Sequence, residues 1–169
     1  MKNLILTAIT FATLTASASA SDDTAAFEKL KGLAGTWKGT AHVGGGTSPA
    51  AVVYRVVSGG SVVEEAIAPH SDHEMITMYY LDGKSLVLTH YCTMGNQPHM
   101  KLTAGADSTK LEFGFDGGSN ITAEAGHMHS MNLRLLGTDH IQTQWMAMMG
   151  GKPMMHIEMD LHRAANSAR

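Results

Sequence analysis

Between Thr89 and Met100 the chain reads THYCTMGNQPHM, which gathers its only cysteine, two histidines and two methionines into one strand-turn-strand. Thioether and thiolate donors select Cu(I), and imidazole tolerates both copper oxidation states. The same residue types return in His127-Met128-His129 and then in Met146, Met148, Met149, Met154, Met155, His156 and Met159. Two readings are open. Either the protein handles a soft ligand, or it fills a core or a pocket with methionine, whose flexible side chain suits irregular space.

The choice depends on which side chains share a face, and the period of two along a strand addresses that. On Ser85–Thr93 the apolar set is Leu86 and Leu88, which turns His90 and Cys92 inward with them. On His127–Leu136 the set Met131, Leu133 and Leu135 turns His127 and His129 inward by strict alternation, and a bulge would reverse that. In the last strand Met155, Ile157, Met159 and Leu161 form the core face in phase with Arg163, leaving His156, Glu158, Asp160 and His162 outside. Candidate lining for an internal cavity is therefore Met75, Tyr79, Leu86, Leu88, His90, Cys92, Met100, Met131 and Trp145. His90 and Cys92 would be its polar anchors.

A metal site would draw first on His90, Cys92, His127 and His129. Copper suits these donors. Structural zinc calls for paired ligands at short fixed spacing, and only the HxH offers such a pair. Haem calls for a large apolar cavity and one well-placed imidazole. No catalytic residue is assigned: Cys92 and His90 lack an orienting acid, and GxSxG, P-loop and HExxH motifs are absent from the sequence. Gly44-Gly45-Gly46 leads into a strand, not a helix, and so builds no phosphate cradle. With a formal charge of −3 and no basic cluster, neither nucleic acid nor an anionic membrane is an expected partner.

These residues need a scaffold. Residues 1–20 read as a secretory leader, with Lys2, an apolar run from Leu4 to Leu14 and an Ala18-Ser19-Ala20 cleavage site. Cleavage after Ala20 would leave one domain, 21–169, in the periplasm or secreted. No later stretch approaches the roughly 20 apolar residues of a membrane helix. A lone Cys92 cannot form an internal disulfide. One helix is expected, capped by Asp22 or Asp23, with Phe27, Leu30 and Leu33 or Ala34 on one face and Gly35 as its stop.

Ten short alternating runs follow: 36–43, 51–57, 61–68, 74–81, 85–93, 99–104, 110–115, 127–136, 139–148 and 154–162. Asp82-Gly83, Gly95-Asn96, Gly117-Gly118, Gly137-Thr138 and Gly150-Gly151 punctuate them as turns. The pattern predicts an all-β, antiparallel up-and-down barrel of about ten strands behind a short N-terminal helix, since closure removes sheet edges.

Gly35-Thr36-Trp37-Lys38-Gly39 opens the first strand after the helix, and Arg163 closes the last. This arrangement resembles the calycin (lipocalin-like) superfamily, and the resemblance implies that Trp37 and Arg163 stack across a closed barrel end. The GTWKG form is also similar to the opening of nitrobindin-type haem barrels, where an axial histidine comes from near the position of His156. LAGTWKG, MYYLDG and THYC…GNQP together resemble a family of small, uncharacterised, lipocalin-like bacterial proteins over most of the chain. Calycins carry fatty acids, haem or bilins. The resemblance therefore implies non-catalytic binding of a small apolar or amphipathic molecule in the barrel. The alternative is copper or haem binding through His, Met and Cys.

Overall fold

A computed structural model describes residues 23–105, 109–122 and 124–165, and the leader with its cleavage site at Ala20 lies outside them. Helix α1 (Thr24–Lys31) precedes β1 (Gly35–Val43), β2 (Gly46–Val57), β3 (Val62–Ile67), β4 (Met75–Asp82) and β5 (Ser85–Tyr91). Then come β6 (Gln97–Ala104), β7 (Lys110–Ser119), β8 (His127–Leu135), β9 (His140–Met149) and β10 (Lys152–Arg163). Every strand pairs with its neighbour in sequence, and β1 pairs antiparallel with β10, so the meander closes into a ten-stranded barrel. The expected fold class is the observed one.

Because neighbours alternate in direction, the connections sort to two ends. Helix α1 and the turns after β2, β4, β6 and β8 lie at one end. The turns after β1, β3, β5, β7 and β9 lie at the other.

The helix end is sealed. Ala26, Phe27 and Leu30 bury one face of α1 against the core. Asp23 does not cap the helix with its side chain as expected. Its carboxylate accepts the Leu86 amide at 2.9 Å and its own amide donates to the Lys84 carbonyl at 3.0 Å, tying α1 to the β4–β5 turn. Trp37 is fully buried and its Nε1 donates to the Leu33 carbonyl at 2.8 Å. The Arg163 guanidinium lies 4.4 Å from the indole centroid and donates to the carbonyls of Ala34 and Gly32 and to the Asp139 carboxylate. A cation over an indole adds electrostatic attraction to the apolar area it covers. Gly35 sits at φ +133°, and a side chain there would meet Arg163 Nη1 at 3.1 Å.

The second glycine of GTWKG secures the closing seam. A Cβ at Gly39 would lie 1.9 Å from the Asp160 carbonyl oxygen on β10. Backbone cannot yield there without parting β1 from β10. Gly39→Ala is therefore expected to cost about 2–3 kcal/mol, the upper range for overpacking. Urea unfolding checks this, with Lys38→Ala, one residue away and exposed, remaining within about 0.5 kcal/mol of the parent.

Two further expectations change. Gly117-Gly118 is not a hairpin turn but part of β7, where a Cβ on Gly118 would come within 2.5 Å of the Gln97 carbonyl. Glycine here permits close backbone approach. In β8 the register with β9 shifts between Met128 and Ser130, so His129 is an extra residue. The bulge reverses the phase of everything before it. Met128 is buried, while His127 and His129 are only half-buried.

Candidate functional site

The barrel interior holds a row of polar side chains in an apolar setting. Register dictates the row: Tyr54 on β2 faces Glu65 on β3, Glu65 faces Thr77 on β4, and Thr77 faces His90 on β5. Directly opposed residues share a face of the sheet, so one inward member brings all four inward. Glu65 and Thr77 are fully buried and His90 is 1% exposed.

The Glu65 carboxylate accepts from Tyr54 Oη at 2.7 Å and from Tyr79 Oη at 2.8 Å, with the Thr77 hydroxyl opposite it in register. Burial pushes the Glu65 carboxyl up, and these three hydroxyls pull it back down. Burial, reinforced by the carboxylate, pushes both tyrosines well above their usual range. Burial alone lowers His90 to about 4, so its imidazole is neutral at physiological pH.

The 2.9 Å hydrogen bond between Thr77 Oγ1 and His90 Nδ1 holds the imidazole in place, its direction set by the tautomer. His90 Nε2 is buried, and among the described residues it has no hydrogen-bond partner. The imidazole packs on Trp145 with ring centroids 4.7 Å apart. Trp145 Nε1 and Thr143 Oγ1, both buried, are also unpartnered.

His90 borders an internal cavity of about 30 Å³, shared with Met75, Met128, Met159, Trp145, Ile67 and Ile157. That is space on the order of one or two waters. Much of the remaining predicted lining is core instead. Tyr79, Leu88, Met100 and Met131 are fully buried, and Tyr79 meets Phe113 edge-on at 5.8 Å. Cys92 is buried just beyond β5, where its amide donates to the Asn96 carbonyl at 3.1 Å.

The four predicted metal ligands do not meet. His127 Nε2 lies 3.1 Å from His129 Nδ1, and both rings pack on Phe115. Among the described residues one group of three oxygen or nitrogen ligands does converge, and it is on the outer face: His140, Asp160 and His162 have ligand atoms within 4.8 Å of one another. His140 and His162 face each other across β9 and β10, stacked at 4.2 Å, and both reach the Asp160 carboxylate. Lys38 is the register partner of His162 on the other side.

The end opposite the helix is open and apolar. A groove of about 610 Å³ runs between the β1–β2 turn and the start of β10, lined by His42, Val43, Met154, Met155 and His156. Val43, Met94, Met149 and Met154 all expose large apolar side chains around this rim. Asn96, buried despite its place in a turn, donates from Nδ2 to the Gly126 carbonyl at 2.7 Å and so ties the β5–β6 and β7–β8 connections together. Gly126 in turn packs close to the sulfurs of Met94 and Met154.

Strand phase finds His90 and the outward Asp160 and His162, but it misses Glu65 and Thr77. One signal was available. Glu64 and Glu65 are adjacent in a strand, so one carboxylate must enter the barrel.

No protein-family profile and no curated protein matches the chain. Among solved structures, the barrel is similar to that of Rv2717c from M. tuberculosis, with 17% identity, a TM-score of 0.59, and coverage of 83% of this chain and 98% of that one. It is also similar to a protein of unknown function of the DUF3598 family from Nostoc punctiforme PCC 73102, with 9% identity, a TM-score of 0.54, and coverage of 80% and 49%. At these identities the likeness is one of fold.

Proposed function

We propose that the protein is an exported, calycin-like binding barrel, periplasmic or secreted after cleavage at Ala20, that holds a small apolar or amphipathic molecule without transforming it. The observation that carries this reading is the contrast between the two spaces. The interior offers about 30 Å³ and the open-end groove about 610 Å³. Small-molecule sites run from roughly 300 to 1,000 Å³ and combine apolar walls with a few polar groups. The groove fits on both counts, with Val43, Met154 and Met155 as walls and His42 and His156 as the polar groups. The ligand thus belongs at the rim, above the residues that periodicity nominated.

Titration with an environment-sensitive apolar fluorophore tests this, alongside native mass spectrometry of protein isolated from its own compartment. Val43→Glu combined with Met154→Glu changes two exposed side chains and is expected to weaken binding roughly tenfold or more, about 1.4 kcal/mol. Absence of both saturable probe binding and a co-purified molecule would end the reading. A Soret band on haemin titration that disappears in His156→Ala would identify the amphipathic ligand as a porphyrin.

A further inference from the structure

We infer that the internal cavity is a buried site for a single soft monovalent metal ion, Cu(I) or its analogue Ag(I), held by His90 Nε2 and the thioethers of Met75, Met128 and Met159. The four donors come from β5, β4, β8 and β10 and border the same space of about 30 Å³, which accommodates an ion and no ordinary organic ligand. This site is separate from the rim groove and does not depend on what the groove holds.

Three observations support the assignment. First, His90 Nε2 is buried without a hydrogen-bond partner among the described residues, and the ring borders the cavity. A polar atom left unpartnered in an apolar interior is unfavourable, so the site calls for an occupant. Second, three of the other six lining residues are methionines, whose thioethers select Cu(I) over harder ions. Third, the other ring nitrogen, Nδ1, is held at 2.9 Å by the buried Thr77 hydroxyl, the kind of outer support that orients metal-bound imidazoles. Four neutral donors leave a bound Cu(I) with its single positive charge, and Glu65, the register partner of Thr77, is the acid on the same face.

The bulge at His129 makes the set possible. It places Met128, rather than a neighbouring histidine, against the cavity. Ile67, Ile157 and Trp145 complete the wall. Met75 is only half-buried, and its sulfur accepts from the Thr93 hydroxyl at 3.8 Å, so it is the ligand nearest the open end.

The test is Cu(I) competition between the purified protein and a chromophoric chelator under reducing conditions. The expected result is one ion per chain. Met128→Leu and Met159→Leu, which keep volume and fold, should each weaken uptake at least tenfold, and His90→Gln should abolish it. Ag(I), which is diamagnetic, should shift the methyl resonances of Met75, Met128 and Met159 and leave those of Met94 and Met154 in place. Cys92→Ser, and His140→Ala with His162→Ala, should leave uptake intact. Failure to take up Cu(I) would overturn the inference. So would uptake that survives the Met128→Leu/Met159→Leu double variant or follows Cys92 or the outer-face histidines. In any of those cases the cavity holds only water bound to His90 Nε2.

Discussion

Glu65→Ala is expected to lower the free energy of unfolding by about 4 kcal/mol, because it strands buried hydroxyls at roughly 1–3 kcal/mol each and leaves a void. Tyr54 and Tyr79 donate only to this carboxylate among the described residues. The loss is asymmetric. Removing one partner of a buried polar set is costly, whereas replacing the whole set by apolar groups of similar shape is often close to neutral. Glu65→Leu in a Tyr54→Phe/Tyr79→Phe background should therefore recover most of what Glu65→Leu alone loses. Urea unfolding of the four proteins reads both numbers. If the triple variant is no more stable than the single one, the carboxylate is not the hub of the network.

How far the sequence reveals this arrangement varies with the physics of each element. Barrel closure is legible, because ten alternating runs with glycine turns have few other ways to hide their edges, and GTWKG with Arg163 locates the sealed end. His90 is legible because Leu86 and Leu88 fix the phase of an unbroken strand. Glu65 is not. In Val62-Val63-Glu64-Glu65 either phase pairs one valine with one glutamate, and only the register against Tyr54 decides.

His127 and His129 mislead because one inserted residue inverts a strand's phase. The trace of that insertion is present: apolar Met128 and Met131 are three apart, and a regular strand does not put such a pair on one face. The open-end groove cannot be read locally, since it is formed by the β1–β2 turn and the start of β10, which the closing seam alone makes neighbours.

The protein is expected to lose on the order of 3 kcal/mol of stability from His90 as pH falls from about 6.5 to 4. In the folded chain burial keeps this imidazole neutral down to about 4. The unfolded chain protonates it near 6.5, so below that pH the unfolded state carries one more proton and gains ground. The contribution is present above the unfolded value and is lost on acidification, by about 1.4 kcal/mol per pH unit. Glu65, linked to His90 through Thr77, acts in the opposite sense. Its raised carboxyl takes up a proton in the folded state before the unfolded chain does, which returns some stability as pH falls below its folded value. Comparing the parent with His90→Gln, both in a Glu65→Gln background, isolates the histidine. Urea unfolding between pH 6.5 and 4.5 should show a slope shallower by about one proton in the His90 variant. Equal slopes would mean that His90 is solvated in the folded protein. The same burial that makes the fold acid-sensitive keeps the His90 imidazole neutral at physiological pH.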